Sequence, residues 1–281
     1  MDISTDSIDT LYSEAINWVL DDGVSVVARG LKFDEVRFAH LMLTNPRNRI
    51  IENPLRKLSR KFMVAEFIWM MSGNDLVKDI SPYNKNMAQF SDDGKILHGA
   101  YGPRLRKWQG LDQLENCLQR LKNDIYSRQA VMIILDPAID FTVPTKDIPC
   151  NDLLQFIYRE GQLDLCCYVR SNDLNWGFPY DVFHWTMLQE LFANILKVNL
   201  GDYHHMVGSL HVYEKDHEAL QKIANNPKSF KDTAMKPMSA VNDLKIIDLL
   251  KIAERELRKE KYDTFNTLPK WWQDVLTYLK G

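Results

Sequence analysis

An α+β fold is expected for this 281-residue chain from three features of its pattern. Runs from Ala130 to Leu135, Leu153 to Tyr158 and Leu163 to Arg170 have strand length, with β-branched or alternating apolar character. Only the turn Arg159-Glu160-Gly161-Gln162 separates the last two, so they should pair as a hairpin. Two segments with helical period, Arg60 to Gly73 and Asp181 to Leu196, carry broad apolar faces. One sheet from the middle of the chain, covered by those helices, accounts for all three.

Composition narrows the class. With 45% hydrophobic and 26% charged residues, the chain can bury a full core as one large domain or two small ones. A net charge of −3 argues against bulk affinity for a nucleic-acid backbone, so any bound anion must be held by local arginines. The longest apolar runs are too short to span a bilayer, and the polar start Met1-Asp2-Ile3-Ser4 is no signal peptide. A soluble cytoplasmic protein without a nucleic-acid or membrane partner is the expectation. Cys117, Cys150, Cys166 and Cys167 form neither a CxxC pair nor a finger spacing, so neither a disulfide framework nor a metal site is expected. Cys117 falls on a helical pattern and Cys166 and Cys167 inside a strand, which marks all three as buried and inert. Cys150 follows Pro149 and precedes Asn151 and Asp152, at the start of a strand.

Taken in order, Ser7 to Leu20 has a helix period, and the β-branched run Val24-Ser25-Val26-Val27 leads into Ala28-Arg29-Gly30, a turn that can present Arg29 to a phosphate or simply to water. On the Arg60 to Gly73 helix, Glu66 shares a face with Phe62, Trp69 and Met70; it either sits at the edge of the stripe or is kept for proton transfer. Ser81 to Gly94 reads as a long loop, closed by His98-Gly99-Ala100-Tyr101-Gly102, whose glycines suggest irregular backbone around Tyr101. Leu111 to Lys122 is helical and runs into Ser127-Arg128-Gln129. In the segment Met206 to Tyr213, His211 and Tyr213 share a parity and point to one side of a strand. Residues 1–224 are expected to form the catalytic domain and residues 225–281 a helical extension, with Trp271 and Trp272 packing it back on the body.

Four stretches carry a resemblance: Pro149-Cys150, Arg170-Ser171-Asn172-Asp173, Gly177-Phe178-Pro179-Tyr180-Asp181 and His211-Val212-Tyr213 together resemble the thymidylate synthase superfamily, in order, over roughly Leu11 to Leu220. The resemblance implies a large mixed sheet packed by long helices, a pyrimidine nucleoside monophosphate as substrate and 5,10-methylenetetrahydrofolate as cofactor. By it Cys150 adds to C6 of the base, Glu66 organises proton transfer and Tyr101 assists loss of the C5 proton. Arg29, Arg170 and Ser171 would hold the phosphate, with Arg128 reaching across a homodimer interface. Asn172 would belong to the substrate site, His211 and Tyr213 would contact the sugar, and Asp173 with the backbone at Gly177 would contact the pterin. The residue types suit the chemistry, since a thiolate is the effective nucleophile and a nearby arginine lowers a thiol's pKa.

Departures from the pattern sharpen the expectation. Asp181 stands where synthases acting on uracil carry asparagine. Cytosine offers an amino donor at position 4 and an acceptor at N3, which a carboxyl group can match, so Asp181 implies a cytidylate substrate, dCMP ahead of CMP. As a helix N-cap, Asp181 would carry no such information. A less enclosed site, implied by Tyr83-Asn84-Lys85-Asn86 and the closing Tyr278-Leu279-Lys280-Gly281, favours water over hydride as final acceptor and hence a hydroxymethyl product. The resemblance thus points to the (deoxy)cytidylate hydroxymethylase branch, with thymidylate synthase and cytidylate C5-methyltransferase as alternatives. Gln129 in place of a second arginine and Asn151 in place of histidine are two further departures.

Overall fold

The computed structural model describes residues 2–226 and 234–280. Met1, the segment 227–233 near the start of the expected extension, and the terminal Gly281 lie outside them. In chain order the elements are β1 (Asp2–Thr5), α1 (Ile8–Asp22), β2 (Val24–Ala28), β3 (Leu31–Leu43), α2 (Arg60–Met71), α3 (Val77–Ile80) and α4 (Tyr101–Arg106). There follow α5 (Gln113–Asn123), β4 (Val131–Ile133), α6 (Pro137–Asp140), β5 (Asn151–Arg159), β6 (Gln162–Asp173), α7 (Gly177–Leu196) and β7 (Asn199–Tyr213). The chain closes with α8 (His217–Ala224), α9 (Lys245–Leu257), α10 (Asp263–Thr267) and α11 (Lys270–Thr277). They divide into two compact units: residues 1–58, 150–193 and 198–237 form the first, and 59–149, 194–197 and 238–281 the second.

The first unit is built on a mixed sheet in the order β1-β3-β7-β6-β5, with β2 added to β3. The expected hairpin is present as β5 and β6, antiparallel, whereas β6 and β7 run parallel because α7 makes the crossover between them. One face alternates Leu154, Phe156, Leu163, Leu165, Cys167, Tyr203 and Val207, all buried, and α7 lies over it, with Phe156 stacked on Phe192 at 4.6 Å. Cys166 points to the other face and is only half-buried, which corrects the expectation that it would be sealed in the core. The helix Gly177–Leu196 begins a turn earlier than its apolar period implied, so Asp181 lies inside it and is not its N-cap. Two charged residues anchor it from outside: the Glu190 carboxylate, almost fully buried, accepts from Arg47 Nε at 2.6 Å and from Arg49. The long strand β3 escaped the period reading because Phe38, at φ 54°, breaks its alternation.

The second unit packs α2 against α4 and α9. Ser59 caps α2, accepting from Phe62 N at 3.2 Å, and Asp112 caps α5 by accepting from Glu115 N at 3.0 Å. Tyr101 is the first residue of α4 rather than part of an irregular loop, and residues 85–90 of the expected loop form a 3₁₀ turn. Arg104 is fully buried: Nη1 and Nη2 each donate to an Asp140 oxygen at 2.7 Å, its remaining bonds reach the Ile134 and His98 carbonyls, and Trp108 covers the guanidinium. Trp271 and Trp272 are buried and meet edge to face at 4.8 Å. No helix among the described residues is long and apolar enough to cross a membrane.

Candidate active site

Cys150 immediately precedes β5, held between Pro149 and the first ladder residue of the sheet. Arg170 N donates to the Cys150 carbonyl at 2.9 Å, and Arg170 Nη2 stands 3.7 Å from Cys150 Sγ. The same residue therefore fixes the backbone at Cys150 and sets a positive charge beside its sulfur, an arrangement that favours thiolate over thiol. Asp152 sits at a bulge in β5, half-buried, with its Oδ1 sealed from water and lacking a hydrogen-bond partner. Burial pushes its carboxyl up to about 6, against the opposing pull of Arg170.

The tip of the β2–β3 hairpin carries Arg29. Ala28 and Leu31 are paired, so Arg29-Gly30 is the whole loop, and their φ values of 49° and 77° are those of a two-residue turn that matches strand twist. Glycine takes this conformation freely; an arginine there gives up roughly 1 kcal/mol. Below the tip, Phe33 pairs with Tyr213 across β3 and β7, and the rings of Phe33, His211 and Tyr213 contact one another with centroids 5.1 to 5.8 Å apart. His211 Nδ1 lies 3.2 Å from the Ser209 carbonyl and so carries a hydrogen, with Nε2 at the far side of the ring. Burial raises the pKa of the Tyr213 phenol, Asp173 and Cys150 add to the rise and Arg29 opposes it, so all three act on this one hydroxyl.

Asp181 occupies the centre of a buried polar chain. Its Oδ2 accepts from Asn172 Nδ2 at 2.8 Å and its Oδ1 from Asn151 Nδ2 at 3.2 Å. Beyond Asn172, Oδ1 meets His205 Nε2 at 3.0 Å, and His205 Nδ1 meets the Tyr203 hydroxyl at 2.7 Å. Beyond Asn151, Oδ1 accepts from Trp185 Nε1 at 3.0 Å and from Cys167 Sγ at 3.0 Å. Burial drives the Asp181 carboxyl up to about 7, only partly offset by the two amides. Burial likewise holds His205 neutral, at about 3, and keeps Cys167 a protonated thiol.

Gly177 opens α7 beside this chain. A Cβ on it would come within 2.7 Å of Asn172 Nδ2, so any side chain there displaces the amide that holds Asp181. Asp173 closes the preceding turn, accepting from Asn175 N at 2.8 Å and Trp176 N at 3.3 Å. Burial raises its pKa. Trp176 between them is half exposed and offers a flat apolar face next to that carboxyl. Ser171 lies opposite Ser209 in the β6–β7 ladder.

Arg29, Cys150, Arg170, Ser171, Asn172, Asp173, Gly177, Asp181, His211 and Tyr213 all belong to the first unit. Glu66, Tyr101 and Arg128 belong to the second. Glu66 is the one carboxylate of α2 and is half-buried among Phe62 to Met71. Arg128 is exposed between α5 and β4, and its neighbour Gln129 accepts from Arg120 Nη1 at 3.0 Å.

Sequence reasoning missed His205, Trp185 and Tyr203, and treated Asn151 as a departure without a role. A signal for His205 was present: it shares a parity with Tyr203 and Val207 in a strand whose other inward residues are apolar, and a buried polar group needs a partner. Asn151 had no such signal, because its partners are remote in sequence.

The family described as thymidylate synthase matches residues 10–265 of the chain. A protein of Bacillus phage SP01 named deoxyuridylate hydroxymethyltransferase is 38% identical over 230 residues, covering 76% of this chain and 60% of its own length. Proteins with the same name from Pseudomonas phage M6 and Delftia phage PhiW-14 are 33% and 31% identical, covering 69% and 77% of this chain and 54% and 61% of theirs. The chain thus spans little more than half the length of these curated relatives. Their names specify deoxyuridylate, not the cytidylate expected from the sequence.

Proposed function

Because the chain belongs to the thymidylate synthase family, we propose that it transfers a one-carbon unit to C5 of a pyrimidine nucleoside monophosphate and leaves that carbon as hydroxymethyl. Cytidylate, with dCMP ahead of CMP, is the substrate we infer. The observation that carries the choice of base is Asp181, a carboxyl group with both oxygens already accepting from amides. Asp181 accepts from the 4-amino group of cytosine through one oxygen and, carrying a proton, donates to N3 through the other; uracil in the same arrangement sets O4 against an acceptor, leaving both unsatisfied at about 1–3 kcal/mol each.

The residues divide the work. Cys150 Sγ bonds to C6 while the C5–C6 electron pair moves to C5, which then acts as the nucleophile. Arg170 holds the sulfur as thiolate, and with Arg29 and Ser171 it binds the phosphate. Tyr101 assists removal of the C5 proton and Glu66 organises proton transfer at the base. His211 Nε2 and the Tyr213 hydroxyl accept from and donate to the sugar. Asp173, the indole face of Trp176 and the backbone at Gly177 suit a pterin, whose N–H groups need an acceptor and whose ring needs a flat surface. 5,10-Methylenetetrahydrofolate bound there supplies the one-carbon unit. Loss of the C5 proton would release tetrahydrofolate as the leaving group, the hydroxide of water would add at the exocyclic carbon with an electron pair returning to C5, and that pair would re-form the C5–C6 double bond with loss of Sγ.

The working unit in this reading is a homodimer in which Arg128 of each chain serves the phosphate in the other. The face of the sheet away from α7 supports it: Leu153, Ile157, Cys166, Tyr168 and Met206 remain only half-buried there. Deoxyuridylate is the second reading, favoured by the names of the three phage relatives. Release of tritium from C5 of dCMP, CMP, dUMP and UMP, with methylenetetrahydrofolate present, tests the substrate: dCMP is expected to lead, and a lead for dUMP overturns the choice of base. Mass analysis of the product tests the outcome, with a 5-methyl product and dihydrofolate excluding hydroxymethylation.

A further inference from the structure

Asp181 is held unequally, and the inequality bears on base choice. A protonated carboxyl can serve either pyrimidine. For cytosine the oxygen facing N3 must carry the hydrogen and the oxygen facing position 4 must accept; for uracil the two are exchanged. Each Asp181 oxygen gives one lone-pair position to an amide, at 2.8 Å from Asn172 and at 3.2 Å from Asn151, and has one left for a ligand. Neither amide can turn over cheaply. Trp185 Nε1 is a donor only, so the oxygen of Asn151 must face it and Nδ2 must face Asp181. Asn172 turns Nδ2 to Asp181, and reversing it would also force His205 to change tautomer and reverse its bond with the Tyr203 hydroxyl.

We propose that Asn151 and Asn172 are opposed specificity-determining residues: the closer amide, Asn172, keeps Oδ2 an acceptor, the weaker bond from Asn151 leaves the hydrogen on Oδ1, and this placement selects the base. The inference deepens the substrate reading above and rests on Asp181 being the residue that faces the base. Raising the carboxyl to about 7 by burial makes the protonated form available at neutral pH. Two groups far from the ligand, Trp185 and His205, then act as positioning residues through the amides they fix.

The ratio of kcat/KM for dCMP to that for dUMP tests it, measured by C5 tritium release in the full chain. Asn172→Leu removes the donor to Oδ2 and lets the hydrogen move there; Asn151→Leu removes the donor to Oδ1 and holds the hydrogen where it is. The two substitutions should move the ratio in opposite directions, Asn172→Leu against the wild-type preference and by about tenfold. If either variant fails to fold, His205→Phe and Trp185→Phe loosen the same amides from behind and should give the same opposed signs, with smaller size. Equal loss for both nucleotides, or a shift of the ratio in one common direction, overturns the inference. The wild-type ratio alone judges the substrate reading: a preference for dUMP would refute cytidylate while leaving the opposed signs intact as a separate result.

Discussion

Cys150 and Asp181 carry different kinds of information. Cys150 was expected as a nucleophile from its place in Pro149-Cys150 and from the family resemblance, and the structure sets Arg170 Nη2 at 3.7 Å from its sulfur. Cys150→Ser should lower C5 tritium release by at least about a thousandfold while leaving nucleotide binding measurable by calorimetry; retention of even a tenth of the activity would exclude covalent addition through this residue. Asp181 was legible as a substitution but not as an environment. Its partners Asn151, Asn172, Trp185 and His205 come from four elements or their edges, and no local pattern joins them. The sign of its pH effect follows from burial. A carboxyl at about 7 in the folded chain against about 3.9 when unfolded favours folding below pH 4 and loses that contribution as pH rises through 7. Thermal melts of wild type and Asp181→Asn should therefore diverge with pH, the variant gaining relative to wild type between pH 5 and pH 8. Parallel melting curves would mean that Asp181 is not held as described.

Helices and the hairpin were readable because their apolar periods are regular: α1, α2, α5 and α7 appear within a few residues of their expected bounds, and β5–β6 closes over Glu160-Gly161. The long strand β3 was not readable, since charged and apolar residues mix along Leu31–Leu43 and the positive φ of Phe38 shifts its phase midway. Tyr101 was assigned to a loop because flanking glycines obscure a short helix that starts at that residue. In the second unit, the largest single contribution from a polar contact is expected from Arg104 and Asp140. Burial pushes the Asp140 carboxyl up, yet Arg104, the Asp136 amide and His98 together bring it below the usual carboxylate range. Replacing Asp140 by leucine strands a buried guanidinium, and unfolding in urea should register a loss of about 3–5 kcal/mol. A loss below about 1 kcal/mol would show that the guanidinium finds water instead.

The family match runs through both units, from residue 10 to residue 265, so the catalytic assignment draws on residues that the contact pattern separates. A homodimer makes a prediction that neither unit makes alone. Cys150→Ser and Arg128→Ala chains should each be nearly inactive, but unfolding and refolding them as a mixture should restore about a quarter of the sites, because half of the dimers are mixed and each has one intact site. No recovery, together with a monomer mass by sedimentation, would refute a shared site.

Gly177 has a consequence for how this chain changes over generations. A single added carbon there would press on Asn172 at 2.7 Å. Drift toward another base is therefore barred at the head of α7 and must pass through positions 151, 172 or 181, each tied to the others. A one-step exchange at 181 alone inherits two amides arranged for its predecessor. Lineages that switch substrate should carry paired replacements at these positions, with the glycine untouched.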